Sequence, residues 1–200
     1  MAQTTEQYVY SSVLKRAAAQ NIVPNKTKDA RDWFRRKAAD YRGPRLQQNK
    51  FFEGATLSDK VLPGRMYMYV YDAKHKEKLP YWDAFPLIFM VGPADNGFYG
   101  LNLHYLQPVL RARLMDALYT VTNNQKYDDS TKLNISYQTL KGVSNLALFK
   151  PCFKHYLTNQ VKSRFIYVEP KDWDTALFLP TQKFQKASTS TVWKDSRSGF

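Results

Sequence analysis

The sequence predicts an α+β protein: a small antiparallel β-sheet or SH3-like barrel of about five strands, with a helical insertion and N-terminal helices. Three stretches between Leu62 and Tyr119 carry that expectation. Residues 65–72, RMYMYVYD, alternate with Met66, Met68 and Val70 on one face and Tyr67, Tyr69 and Tyr71 on the other, the period of a strand. Phe85 to Val91 is a near-continuous apolar run, as expected of a strand covered on both faces. Phe98 to Leu106 follows Gly92-Pro93 and Asp95-Asn96-Gly97, a hairpin signal that tolerates positive φ. Three adjacent antiparallel strands are therefore the expected nucleus.

The remaining elements fall into place around it. Residues 1–45 read as a basic helical arm. Thr4 or Thr5 caps a first helix running to about Gln20, with Tyr10, Val13, Leu14 and Ala17 on one stripe. A second helix begins near Thr27, with Ala30, Trp33, Phe34, Ala38 and Tyr41 on one face and Arg31, Arg35, Arg36 and Lys37 on the other; Gly43-Pro44 closes it. Two such helices cannot form a core alone and must dock on the β-domain or on a neighbouring protein. Residues 46–61 show no periodicity and read as a linker.

Residues 62–180 form the core domain, with a helical insertion at about 108–161 between the third and fourth strands. Pro108 opens a helix with Leu110, Leu114, Leu118 and Val121 at spacings of four, and Arg111 and Arg113 off that stripe. Ile135 to Val143 reads as a short helix. Pro151 opens another, with Phe153, Tyr156, Leu157 and Val161 at helical spacings. Arg164 to Glu169 is a fourth strand, Lys171 to Thr175 one helical turn, and Ala176 to Leu179 a fifth strand. Residues 181–200 are a basic, Ser/Thr-rich tail with only Phe184, Val192, Trp193 and Phe200 apolar, a composition that orders only on something else.

Composition narrows the function. A chain of 200 residues, 44% hydrophobic and 15% aromatic, has material for a real core. The net charge of +13 is uneven: +6 over residues 1–60, +4 over 61–180 and +3 over 181–200. Basic ends on a nearly balanced core fit contact with nucleic acid or an acidic protein surface. A single cysteine, Cys152, excludes an internal disulfide and a Cys-based zinc site. No apolar run approaches the roughly 20 residues of a membrane span, and MAQTTEQYVY lacks the basic and apolar regions of a signal peptide.

Catalytic machinery is not legible. The three histidines, His75, His104 and His155, are far apart, and none has a companion at ligand spacing. His104 reads as a packed histidine. Cys152 and His155 fall on one face of the expected helix, but apolar neighbours make Cys152 a core residue rather than a nucleophile. There is no phosphate-binding glycine loop and no nucleophile elbow. Asp128-Asp129 and Asp172 read as helix caps, and no convergent carboxylate set for a metal-dependent nuclease can be assembled. No metal or cofactor is expected. Candidate phosphate or partner contacts are Arg31, Arg35, Arg36, Arg42 and Arg45, the loop lysines Lys74, Lys76 and Lys78, and Trp193 and Arg197 in the tail. Tyr67, Tyr69 and Tyr71 form a face able to stack bases; packing beneath the N-terminal helices is the preferred reading.

The strings PGRMYMYVYDAKHKEKLPYWDAFPLIF, GFYGLNLHYLQPVLRARLMDALY and FKPCFKHYLTNQVKSRF, together with the closing VWKDSRSGF, resemble small virion proteins of large contractile-tailed bacteriophages. The nearest group is that of the head-completion proteins described as DNA end protectors, and the resemblance covers roughly Trp33 to Phe200. It implies a non-enzymatic structural protein of the virion, assembled in the host cytoplasm. Its implied partners are other virion proteins and double-stranded DNA ends, with no membrane. The same residues fit a baseplate or tail-hub connector whose termini, with Trp33, Phe34, Trp193 and Phe200, dock on partner subunits. A nuclease acting on DNA ends is a third alternative.

Overall fold

The computed structural model describes residues 55–107, 126–144, 147–170, 173–178 and 181–198, together with Leu110, Arg111, Leu114, Leu118 and Val121. Its strands, numbered in chain order, are β1 (Leu57–Ser58), β2 (Met66–Met68), β3 (Trp82–Asp83), β4 (Leu87–Ala94), β5 (Gly97–Asn102), β6 (Phe153–Leu157), β7 (Phe165–Val168) and β8 (Phe184–Gln185). Six of them form one antiparallel sheet in the order β1-β7-β2-β4-β5-β6, and β3 pairs with β8 in a separate ribbon.

The alternation in the sequence decides how this sheet is covered. Met66 and Met68 join Leu87, Phe89, Leu101 and Val168 in one core. Tyr67, Tyr69 and Tyr71 point the other way, into a second core with Ile88, Met90, Phe98, Tyr156 and Phe165. The centre of the sheet is thus buried on both faces, which is why β4 shows a continuous rather than an alternating apolar pattern. Complete burial of such side chains contributes about 1.5–3 kcal/mol each. Tyr69 meets Phe165, Tyr156 and Phe98 edge-on, with ring centroids 5.0, 5.6 and 5.9 Å away. Tyr67 and Tyr69 are therefore occupied by the protein's own aromatics and offer no surface on which bases can stack.

The hairpin joins β4 to β5 where the Asn-Gly signal lies. Ala94 pairs with Gly97, and Asn96 takes the left-handed conformation at φ 57°. Gly97 must lack a side chain, because a methyl group there would run into the Tyr156 carbonyl of β6. The register shifts between Met90 and Gly92, leaving Val91 as an extra residue in β4.

Helices α1 (Asp129–Ser144), α2 (Trp173–Phe178) and α3 (Thr189–Ser198) accompany the sheet. The Asp128 carboxylate caps α1, accepting from the Thr131 N–H at 2.7 Å and the Ser130 hydroxyl at 3.2 Å. Leu140 of α1 enters the first core, as do Leu114 and Leu118, which are helical. Trp173 of α2 meets Phe89 edge-on at 4.8 Å, and its indole N–H donates to the Val168 carbonyl at 3.0 Å. Ser188 caps α3 through the Thr191 N–H at 3.1 Å, and Val192 is fully buried.

Several expectations are corrected. The sheet is open rather than a closed SH3-like barrel: β1 and β6 are its two edges and do not pair. The segment 108–161 is not wholly helical, since Phe153–Leu157 is β6, hydrogen-bonded along β5. Phe153 serves the first core and Tyr156 the second, so the chain there needs a two-residue period. The third strand ends at Asn102, and Leu103–Tyr105 is a 3₁₀ turn. The expected fifth strand at Ala176 is helix α2, with Ala176 and Leu177 turned into the core. The tail supplies β8 and α3 and orders on the core of its own chain. The two expected helices of residues 1–45 lie outside the described residues.

Candidate functional site

Where the 3₁₀ turn after β5 meets β3, a polar group is buried. Asp83 is 3% exposed, and Asn102 and His104 are fully buried. One Asp83 oxygen accepts from the N–H groups of Phe85 and Lys183, each at 3.1 Å. The other accepts from Asn102 Nδ2 at 3.2 Å and from His104 Nδ1 at 2.6 Å. The imidazole proton therefore sits on Nδ1, and Nε2 accepts from the Thr181 hydroxyl at 3.0 Å. Asn102 spends its remaining capacity on the Tyr156 hydroxyl (3.0 Å) and the His104 N–H (3.0 Å).

Burial would raise the Asp83 carboxyl, but His104 and the two backbone amides outweigh it, and the group is held below its ordinary value. Burial pushes His104 down further than Asp83 pulls it up, so the imidazole is neutral. Carboxylate, imidazole and hydroxyl stand in the order of a hydrolase triad. All three are buried, and neither His104 nor Thr181 borders the cavity described below. This arrangement ties β3, β5 and the segment before β8 together.

A second buried charge lies alongside. Arg111, expected off the apolar stripe, is turned inward and is 2% exposed. Its guanidinium donates to the carbonyls of Leu106 (2.8 Å), Leu177 (2.7 Å) and His104 (3.3 Å). Burial lowers it to about 10, so it stays charged. It also lies 5.7 Å from the Trp193 ring, whose indole N–H donates to the His104 carbonyl at 2.9 Å. Arg111 thus joins the helical residues after Gln107 to α2 and α3, and its charge is spent inside the protein.

A half-open cavity of about 510 Å³ borders this network. Asp83 and Tyr156 form part of its wall; Lys74 and His75 come from the loop after β2, Tyr81 and Trp82 from around β3, Tyr105 from the 3₁₀ turn and Lys154 from β6. Lys154 is only partly exposed, and its ammonium lies 4.3 Å from the Tyr105 ring centre. Burial lowers its pKa, and among the described residues no carboxylate pairs with it. Trp82 Nε1 is buried without a hydrogen-bond partner among the described residues.

The sequence-predicted residues are distributed as follows. Arg31, Arg35, Arg36, Arg42 and Arg45 lie outside the described residues. Lys74 and Lys78 are exposed, and Lys76 pairs with Asp72 at 2.6 Å. The loop that carries them is fixed by Lys186, whose ammonium donates to the carbonyls of Lys76 and Leu79. Arg197 is exposed on α3, whereas Trp193 is engaged inward against His104 and Arg111. Of those among the described residues, only Lys74 reaches the cavity.

Sequence reasoning missed Asp83, Thr181, Tyr81, Trp82 and Lys154. Asp83 between Trp82 and Phe85, and Lys154 two residues from Tyr156, were the available signals: charges set among aromatics. Cys152 and His155 do not form a pair. The thiol is buried and pushed up to about 12, while the exposed His155 ring bonds the Asp95 carbonyl at 3.0 Å.

Among the described residues no cluster of three or more His, Cys, Asp and Glu has metal-holding geometry, and no helix is long and apolar enough to cross a membrane. Fold and site together define a basic α+β protein with a sealed polar interior and a half-open cavity lined by aromatics and cations. Residues 20–196 match the family model described as Phage T4 terminal DNA protecting protein, and the chain belongs to that family. This is a family of phage DNA-protecting structural proteins rather than of enzymes, and it is the group that the central strings resemble. Neither the curated proteins nor the solved structures yield a match.

Proposed function

We propose that the protein is a structural component of the phage particle that completes the head or neck and holds the end of the packaged DNA. Family membership gives the role its direction. The observation that carries it to these residues is the lysine loop, in which Lys74 and Lys78 stand in solvent on a backbone pinned by Lys186. Loop, arm and tail cations contact phosphates, which gives affinity without sequence readout. Other virion proteins are its remaining partners.

Binding of the full-length protein to linear duplex DNA, followed by anisotropy across a salt series, tests this reading. The affinity is expected to fall steeply with salt, with a slope of about −0.9 for each phosphate neutralised. Replacing Lys74, Lys76 and Lys78 together by Ala should flatten the slope by about 2 to 3. Absence of binding at low salt would overturn the DNA role and turn the basic residues into docking contacts of a tail or baseplate connector.

A further inference from the structure

The cavity beside Asp83 has the makings of a ligand site, reached by Lys74 of the lysine loop but not by Lys76 or Lys78. Its walls are aromatic: Tyr81, Trp82 and Tyr105. Its cations are Lys74, exposed at the rim, and Lys154, partly covered and lying on the Tyr105 ring. An ammonium held that deep without a carboxylate partner among the described residues is a charge awaiting an anion. The acid in the wall, Asp83, already accepts four hydrogen bonds from the protein, so its oxygens are not left to pair with Lys154 or with a ligand. A volume of about 510 Å³ lies within the roughly 300–1,000 Å³ typical of small-ligand pockets.

We propose that this cavity seats the terminal nucleotide of a DNA strand, its base against the Tyr81, Trp82 and Tyr105 walls and its phosphate at Lys154 and Lys74. The inference rests on the DNA-end reading and deepens it by naming what distinguishes an end from the rest of a duplex. An internal base reaches a concave site only by being flipped out of its stack, against stacking and pairing on both sides. A terminal nucleotide has one stacking neighbour and peels away more easily. The buried network behind the cavity holds β3, β5 and the segment before β8 in place, so the Trp82 and Tyr105 side of the wall is pre-formed.

The test uses the full-length protein and two DNAs of the same duplex sequence, a hairpin with one blunt end and a dumbbell closed by loops at both ends. The wild type is expected to bind the hairpin more tightly. Lys154→Met, which keeps the apolar stem, should cut the preference while leaving dumbbell affinity within about twofold. Lys74→Ala should also cut the preference, and it should lower dumbbell affinity as well because Lys74 belongs to the lysine loop. Trp82→Leu should lower hairpin affinity by roughly 5- to 100-fold, the range for losing one base–aromatic stack, and circular dichroism would confirm that each variant is folded. Hairpin preference that survives in folded Lys74→Ala and Lys154→Met would overturn the cavity assignment and leave the DNA-end reading standing. Equal wild-type affinity for hairpin and dumbbell would also overturn it, leaving phosphate binding alone. Binding to neither DNA would overturn both.

Discussion

Replacing Asp83 by Asn is the sharpest probe of what holds the described core together. The substitution keeps the shape and removes the charge and one acceptor oxygen. Whichever way the new amide turns, its NH₂ faces two donors: Asn102 Nδ2 and His104 Nδ1 on one side, or the N–H groups of Phe85 and Lys183 on the other. Hydrogen bonds to a charged group are each worth about 1.5–3 kcal/mol, so losing two sets a ceiling of about 3–6 kcal/mol. The imidazole can recover one of them by moving its proton to Nε2, where the Thr181 hydroxyl accepts it. The expected net loss is about 2–4 kcal/mol, read as a lower urea midpoint at unchanged slope. For a chain of this size it corresponds to a fall of roughly 4–16 °C in Tm. Asp72→Asn, which breaks only the exposed pair with Lys76, is the control and should cost about 0–1 kcal/mol. If Asp83→Asn cost no more than that control, the claim that the carboxylate organises β3, β5 and the segment before β8 would be wrong.

Two further outcomes follow from the same geometry. Asp83 and His104 both lie below their ordinary values in the fold, so each contributes stability above its unfolded value that is lost as pH falls towards the folded one. Urea midpoints should therefore drop below about pH 6.5, where the unfolded histidine gains its proton, and again below about pH 3.9. His104→Gln should remove the first drop, and identical midpoints at pH 7.5 and 5.5 in the wild type would contradict the reading. Gly97→Ala forces a methyl group onto the Tyr156 carbonyl and should cost about 1–3 kcal/mol. Amide hydrogen exchange should show β5 and β6 losing protection, and unchanged protection would mean that the two strands are not held as described.

What the sequence disclosed, and what it concealed, divides along sequence separation. The tyrosine–methionine alternation of β2 and the Asn-Gly hairpin are local signals, and both stand in the structure. The stripe Leu110, Leu114, Leu118 was equally legible, because a strand would set Asp116 on the leucine face whereas a helix does not. The segment after Pro151 was misread because Phe153, Tyr156, Leu157 and Val161 satisfy a helical spacing by chance. Its strand state is imposed from outside, by pairing with β5 more than fifty residues earlier. Ala176 to Leu179 failed in the opposite direction: four apolar residues are too few to show a period, and Trp173 anchors the segment as far as Phe178 as a helix. The Asp83–His104–Thr181 chain spans separations of 21 and 77 residues, which no motif spacing records. Arg111 misled because charge predicts exposure, whereas a guanidinium with three carbonyl acceptors can be kept inside.

A charge of +13 would account for affinity for DNA, as proposed, better than for a preference for ends. Phosphates line a duplex uniformly, so lysines that contact them hold the middle of a molecule as well as its tip. A protein that guards a terminus needs a feature that only the terminus satisfies, and charge cannot supply one. Within the described residues Tyr67 and Tyr69 are sealed, and Arg111 is committed to carbonyls. The half-open cavity offers both a concave aromatic wall and a cation that no carboxylate pairs with among the described residues. On the proposed reading the two features have separate roles. Surface lysines bring any DNA to the protein, and the cavity decides whether that DNA has an end. This division implies that salt should weaken overall binding much more steeply than it weakens the preference for hairpin over dumbbell. The phosphates counted in the salt slope are common to both DNAs, while stacking in the cavity releases few counterions.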